Sequence, residues 1–176
     1  MIFNAIDLFA GCGGLTEGFL QTGKFKTLAA IDWEQQAVNT LKFRLKNKWK
    51  YKSDQNIIYF DLQRTSELLN GYSDLKYGKS KGLNHIIGKK KVDLIIGGPP
   101  CQAYSIAGRV RDKNGMQNDY RNFLFESYVE LVNEFNPEAF IFENVEGILT
   151  SKPGGVSIIN RIKKGFRKIG YNISED

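Results

Sequence analysis

The sequence predicts an α/β protein with a doubly wound, mainly parallel sheet. Short runs of apolar and often β-branched residues recur along the chain, and a stretch with helical spacing follows nearly every one. Strands and helices alternate in this way when helices connect parallel strands and cover both faces of the sheet. The length of 176 residues is enough for one domain with a substantial core.

Three strands are predicted in the first third of the chain. An apolar strand over 2–9 leads through a glycine turn into a helix over about 15–21. A second strand over 25–31 precedes a helix over about 34–48, and a third strand covers 56–60. The turns that follow these strands are expected to meet at one edge of the sheet.

The region 63–91 is less regular. A short helix is predicted near 65–69, and the rest is predicted to be a flexible insertion because glycines and lysines recur in it. We expect it to be a basic insertion in a single cofactor-binding and catalytic domain that extends over 1–176.

Two further strands are predicted, over 92–96 and 139–142. A long polar loop over about 102–118 and a helix over 122–135 lie between them, and a last helix covers about 156–169. The chain ends where another strand is predicted to begin, so we expect the sheet to lack its last strands.

Composition excludes several classes of protein. No apolar run approaches the roughly 20 residues that span a bilayer, and the N-terminus lacks the basic region of a secretory signal. Two cysteines and one histidine cannot supply an ordinary four-ligand zinc site, so no metal is expected. We therefore expect a cytoplasmic protein with reduced thiols and no membrane partner.

The formal net charge of +6 favours a polyanionic partner. Basic residues cluster within 42–52, 76–91 and 161–168, and each cluster taken alone is best interpreted as a solvated surface. Arg109 and Arg111 differ because they follow Cys101 closely, and a basic loop beside a reactive thiol suits a phosphate backbone.

One thiol and one carboxylate follow neighbouring predicted strands. Cys101 comes after the strand at 92–96 in a turn stiffened by two prolines, and Glu143 comes directly after the strand at 139–142. Ligands of open α/β sheets bind at the carboxyl ends of strands, so both side chains are expected at one pocket. A sulfur nucleophile beside a proton donor is typical of covalent catalysis.

The first three strand ends together suggest a nucleoside site. The glycine turn at 10–14 can approach a ligand closely, although Thr16 replaces the last glycine of a full dinucleotide fingerprint. Asp32 can bind ribose hydroxyls, Trp33 can stack on a base, and Asp61 can accept a bond from an exocyclic amine.

Structural interpretations compete with these roles. Asp61 could cap a helix, Trp33 could pack in the core, and Glu143 could be a cap or an ion-pair partner. Cys12 is better interpreted as a small packed residue than as a nucleophile.

Three sequence blocks resemble the catalytic domain of the cytosine-C5 DNA methyltransferases. They are Asp7–Gly14, Gly98–Gln102 and Glu143–Val145, in the order and at about the spacing of that family. The resemblance extends from about Ile2 to Tyr171. It implies a Rossmann-like, class I methyltransferase fold, S-adenosylmethionine as cofactor and double-stranded DNA as partner.

The resemblance also implies a role for each matching residue. Cys101 would be the nucleophile and Glu143 the acid. The residues implied in cofactor binding are Phe9, Gly11, Gly13, Gly14, Leu15, Asp32, Trp33, Asp61, Leu62, Asp119, Asn122 and Leu124. The residues implied around the substrate are Pro100, Gln102, Ser105, Arg109 and Asn144, of which Asn144 would support the turn that holds Glu143.

Full-length members of that family carry more than this chain. An arginine-containing motif, a target-recognition domain and a C-terminal segment that closes the cofactor pocket have no counterpart here. We therefore expect a fragment or one half of a split enzyme, inactive alone, with a C-terminal half as partner. Two alternatives stay open, a tRNA cytosine-C5 methyltransferase of the same fold and a non-catalytic cofactor- or DNA-binding module. Bacterial restriction–modification is the commonest setting for such chains.

Overall fold

A computed structural model describes residues 1–51, 55–100, 124–152 and 155–174. The strands in these ranges are β1 (Phe3–Leu8), β2 (Phe25–Asp32), β3 (Ile57–Tyr59), β4 (Tyr72–Asp74), β5 (Gly78–Ser80), β6 (Leu94–Gly97) and β7 (Ala139–Phe142). The helices are α1 (Gly14–Gln21), α2 (Gln35–Asn47), α3 (Thr65–Asn70), α4 (Leu83–Ile87), α5 (Leu124–Phe135), α6 (Gly147–Thr150) and α7 (Ile158–Lys168).

The main sheet of the described residues is parallel and has the strand order β3-β2-β1-β6-β7. The chain builds outward from β1 to β3, then crosses to β6 on the other side of β1. Strand order therefore reverses between β1 and β6, which is where open α/β sheets bind their ligands. The predicted doubly wound α/β fold is confirmed, and the predicted positions of its five main strands are confirmed with it.

Alternation along β1 divides the core between the two faces of the sheet. Ile6 and Leu8 point into the larger apolar cluster, which includes Tyr128 of α5 and Phe166 of α7. Ala5 lies on the opposite face, in a cluster that Leu15 of α1 helps to cover. Strand side chains alternate with a period of two, so β1 contributes apolar side chains to the core on both faces of the sheet.

The region 63–91 contains more regular structure than the sequence predicts. A two-stranded antiparallel hairpin of β4 and β5 follows α3, and α4 follows the hairpin. The ring of Tyr72 stacks on Phe60 with 4.0 Å between ring centroids. Arg64 pairs with Glu67 and Asp74, and these contacts attach the hairpin to the end of β3.

No helix in the described part of the chain combines the length and the apolar character that are needed to cross a membrane.

Candidate cofactor pocket and catalytic turn

The turn between β1 and α1 has an unusual backbone. Phe9 has φ +58°, although it is not a glycine, and Gly11 and Gly13 have φ of +53° and +89°. A Cβ on Gly13 would collide with the side chain of Leu41 on α2. Non-glycine residues with positive φ are strained and persist only where the surrounding structure holds them in place. They cluster at functional sites. The turn is therefore held in one conformation by close packing.

The carboxylates of Asp32 and Asp7 hold this turn and the start of α1 through hydrogen bonds. The Oδ2 atom of Asp32 accepts a hydrogen bond from the N–H of Gly11 at 2.8 Å, and its Oδ1 atom accepts one from Glu34 N–H at 2.8 Å. The Oδ2 atom of Asp7 accepts from the N–H and the hydroxyl of Thr16, at 3.0 and 2.5 Å. Burial, partly offset by these bonds from Thr16, raises the pKa of Asp7 to about 7.

A shallow, partly open pocket lies beside the turn. Its lining combines two aromatic rings, one carboxylate and apolar side chains, and consists of Phe9, Trp33, Asp61, Leu62, Gln63, Pro100 and Leu124. These residues come from the ends of β1, β2, β3 and β6 and from the start of α5. Leu62 and Leu124 are buried, whereas Trp33 remains 44% exposed at the pocket wall. The lining can therefore contact a flat, mostly apolar group from one side, with Asp61 near a polar edge of that group.

The ends of β6 and β7 are joined through side chains. The Glu143 carboxylate lies against Gly98, where a Cβ would collide with its Oε2 atom. The Asn144 side-chain amide donates a hydrogen bond to the carbonyl of Pro99 at 3.0 Å. The N–H of Glu143 donates to the carbonyl of Gly97 at 2.9 Å. The turn at 97–100 is thereby tied to the residues that follow β7.

Tyr128 of α5 supports the same two strands from one face of the sheet. Its hydroxyl lies 3.1 Å from the carbonyl oxygen of Ile95 and 2.8 Å from that of Ile141, to which it donates. Burial raises the pKa of Tyr128 well above its ordinary value, with the Asp7 charge as the second cause. The phenol therefore stays protonated.

Six of the residues that the sequence suggested for cofactor or substrate line the pocket together. They are Phe9, Trp33, Asp61, Leu62, Pro100 and Leu124. Gln63 also lines the pocket and was missed, since no motif marks it. Six other suggested site residues lie outside the described part of the chain, namely Cys101, Gln102, Ser105, Arg109, Asp119 and Asn122.

Other suggested residues belong to the turn after β1 or to the start of α1. Gly11 is held by Asp32, and the turn at Gly13 packs on α2. Gly14 begins α1, and Leu15 packs against the apolar cluster around Ala5. Their proposed contacts with a cofactor stay predictions.

The competing structural interpretations can be compared with this geometry. Trp33 is too exposed to be a core residue. Asp61 accepts a bond from the N–H of Gln63 at 3.0 Å in a local turn, while α3 begins only at Thr65. Cys12 is exposed rather than packed, and the glycines on both sides of it have positive φ. Cys12 takes part in the local structure through its carbonyl, which accepts from Arg44 at 3.1 Å.

A family model described as C-5 cytosine-specific DNA methylase matches residues 3–176. The chain belongs to this family. The type II methyltransferase M.Bpa9945I of Bacillus paralicheniformis is 37% identical over 96% of this chain and 46% of its own length. The type II methyltransferase M.DdeI of Desulfomicrobium norvegicum is 35% identical over 97% of this chain and 34% of its own length. The chain thus spans about a third to a half of the length of these relatives.

Solved structures have the same fold. A protein described as a DNA modification methyltransferase encoded within an E. coli prophage superposes with a TM-score of 0.62 and 30% identity. The match covers 94% of this chain and 38% of that protein. The S. pombe Dnmt2 methyltransferase has a TM-score of 0.57 and 21% identity over 97% of this chain and 42% of its own, and supports the fold alone.

Proposed function

We propose that this chain is the cofactor-binding and nucleophile-bearing part of a DNA cytosine-C5 methyltransferase. The proposal is supported above all by the contact between Glu143 and Gly98, three residues before Cys101. That contact brings the only acid of the Glu143–Val145 block to the turn that leads into the only cysteine of the Gly98–Gln102 block. Membership of the family and the neighbouring pocket are consistent with the same reaction.

The chemistry of the pocket lining supports binding of the adenosine end of S-adenosylmethionine. Trp33 and Phe9 offer aromatic surface for a purine, and Asp61 offers an acceptor for its exocyclic amine. Asp32 can accept further bonds from ribose hydroxyls, because each carboxylate oxygen has two lone pairs. The bound cofactor would supply a methyl group on a positively charged sulfur. The remaining residues of the cofactor site would be the turn glycines and five further side chains, namely Gly11, Gly13, Gly14, Leu15, Leu62, Asp119, Asn122 and Leu124.

Cys101 and Glu143 would carry out the chemistry. The Cys101 thiolate would add to C6 of cytosine, and proton donation to N3 by Glu143 would neutralise the charge that develops on the ring. Carbon 5 would then accept the methyl group, and loss of its proton would expel Cys101. Asn144 would keep the turn in place through its bond to Pro99.

The segment after Cys101 would contact the substrate. Pro100 lies at the pocket, and Gln102, Ser105 and Arg109 would form part of a loop that closes over the target nucleotide. A cytosine inside duplex DNA has to leave the base stack before a thiol can reach it. Arg109 and Arg111 would bind the phosphates beside it.

The rest of the enzyme would come from polypeptide beyond the region described here. The relatives are two to three times as long as the part that this chain matches. We therefore propose that the chain alone is inactive, that it binds S-adenosylmethionine weakly, and that a C-terminal part with a target-recognition domain completes it. The complete protein would act on DNA in the bacterial cytoplasm, in a restriction–modification setting like that of its relatives.

Mechanism-based trapping tests the reaction. Duplex DNA with 5-fluorocytosine at candidate sites should form a covalent adduct with the chain when S-adenosylmethionine and a C-terminal part are supplied. The uncovered part of M.Bpa9945I serves as that C-terminal part. The adduct should disappear in Cys101→Ser and persist in Cys12→Ser, which removes the other cysteine. Glu143→Gln should slow its formation by about 10²- to 10⁴-fold.

Three results would contradict the proposal. An adduct that survives Cys101→Ser would exclude this thiol as the nucleophile. Trapping on 5-fluorocytosine tRNA in preference to DNA would instead support the tRNA methyltransferase alternative. A complete protein that binds the cofactor but forms no adduct on either nucleic acid would support the non-catalytic module.

A further inference from the structure

Asp7 is a buried carboxyl group that the proposed reaction leaves without a role. It lies near the carboxyl end of β1 with a relative exposure of 1%. Its Oδ2 atom accepts two hydrogen bonds from Thr16 in the first turn of α1. Its Oδ1 atom is buried without a hydrogen-bond partner among the described residues. Buried polar atoms are nearly always paired, so this oxygen calls for an explanation.

The surroundings of Asp7 connect it to the glycine turn. Thr16 lies two residues after Gly14, where α1 begins, so its bonds to Asp7 set the start of the helix. Asp32 of β2 is the charged group that acts on Asp7, and it also holds the N–H of Gly11. Tyr128 of α5 is the second titratable group that interacts electrostatically with Asp7, and it packs with Ile6 and Leu8 on the other face of the sheet.

The strand neighbours of Asp7 do not offset its charge. Its register partners are Ala30 on β2 and Ile96 on β6, and neither carries a charge. Burial therefore dominates and raises the pKa of Asp7 to about 7, close to the pH at which a bacterial enzyme works. A modest change at the turn can then change whether Asp7 carries a proton.

We propose that Asp7 is a positioning residue for the glycine turn, and that occupation of the turn by the cofactor is coupled to loss of the Asp7 proton. The inference rests on the proposed function, because it assumes that the turn binds S-adenosylmethionine. An ionised carboxylate accepts stronger hydrogen bonds than a neutral acid does. Ionised Asp7 therefore holds Thr16 and the first turn of α1 more firmly, and a firmly held turn binds its ligand at a lower ordering cost.

The sign of the pH dependence follows from this coupling. If the bound state favours ionised Asp7, binding releases a proton and affinity rises with pH until the free protein is itself ionised. The affinity for S-adenosylhomocysteine, the demethylated and stable product, should rise by about fivefold or more between pH 5.5 and 7.5, the lower end of typical couplings between sites. Above that range the affinity should become constant.

Calorimetric titration with S-adenosylhomocysteine across this pH range tests the proposal. In Asp7→Asn the affinity should be weak and independent of pH, since an amide accepts from Thr16 but carries no charge. Thr16→Val removes the hydroxyl donor and keeps the N–H donor. It should therefore weaken the pH dependence of the affinity without abolishing it. Asp93→Asn is the matched control, because Asp93 accepts from Asn4 N–H at 2.8 Å at the opposite end of the sheet. It should keep the profile of the unmodified chain.

A second measurement avoids variants altogether. The ¹³C resonance of the Asp7 carboxyl should titrate near neutral pH in the free chain, and its midpoint should fall when S-adenosylhomocysteine is bound. An unchanged midpoint, or an Asp7→Asn profile parallel to that of the unmodified chain, would overturn the inference while the cofactor site stands. A chain that shows no affinity for the ligand at any pH, even when the C-terminal part is supplied, would overturn the proposed function itself.

Discussion

Single side chains at the strand ends decide what the pocket can bind. Trp33 and Phe9 supply its aromatic surface, and Asp61 supplies its polar edge. Trp33 follows Asp32, which is fixed by two backbone N–H groups, so its position is set by the end of β2. The ring therefore reaches the pocket without being part of the core.

Replacing Trp33 should test whether this ring stacks on the cofactor. We expect Trp33→Ala to weaken binding of S-adenosylhomocysteine by about 1–3 kcal/mol, the usual value of stacking between a base and an aromatic side chain. Phe43→Ala is the matched control, because Phe43 is an aromatic residue of α2 with 69% exposure. Calorimetry should show unchanged affinity for the control. Equal losses in both variants would count against a stacking role for Trp33.

Much of the pocket could be predicted residue by residue, because a simple rule places side chains after parallel strands at one edge of the sheet. That rule found Trp33 and Asp61, whereas Leu124 came only from the family resemblance. It could not find the bonds of Asp32 to backbone N–H groups, since the direction of a carboxylate depends on how the following turn folds back. Gln63 escaped prediction because it reaches the pocket only through the local turn at Asp61.

At the scale of elements, the junction of β1 and α1 carries the most specific geometry. Gly13 combines φ of +89° with close contact to Leu41, whereas a Cβ on the adjacent Gly14 would meet nothing within 4 Å. The two glycines have different reasons to be present, although they are neighbours in sequence.

Alanine substitutions should separate these two glycines. We expect Gly13→Ala to lower the free energy of unfolding by about 1–3 kcal/mol, because alanine is strained at positive φ and its methyl group displaces Leu41. Gly14→Ala lies at the start of α1 and should change that free energy by less than about 1 kcal/mol, in the stabilising direction. Urea unfolding followed by circular dichroism measures both. A Gly13→Ala chain as stable as the unmodified one would show that the turn adapts freely.

The elements that were predicted and those that were missed differ in how local their signals are. The five main strands are apolar runs, and a run of this kind indicates a buried strand without reference to the rest of the chain. The hairpin of β4 and β5 has strands of three residues with mostly polar side chains. Its order depends on the stack of Tyr72 on Phe60 and on the ion pairs of Arg64, which join residues that no sequence period connects.

At the scale of the whole molecule, strand order explains why distant sequence blocks meet. The glycine turn follows β1 and the turn at 97–100 follows β6, and these strands are neighbours on the two sides of the reversal. β7 then places Glu143 beside β6. The alternation of elements predicted a parallel sheet, but the pairing of β1 with β6 requires the complete topology, and it is this pairing that joins the cofactor pocket to the catalytic turn.

Complementation tests whether this topology is one part of a larger enzyme. The chain spans 46% of M.Bpa9945I, and the pocket wall at Trp33 is 44% exposed. If further polypeptide closes that wall, adding the uncovered part of M.Bpa9945I should strengthen binding of S-adenosylhomocysteine and permit methyl transfer to DNA, measured with a radiolabelled methyl group. The same mixture with Cys101→Ser should bind the ligand equally well and transfer nothing. Full turnover by the chain alone would show that the pocket and the catalytic turn need no further polypeptide, contrary to the split arrangement.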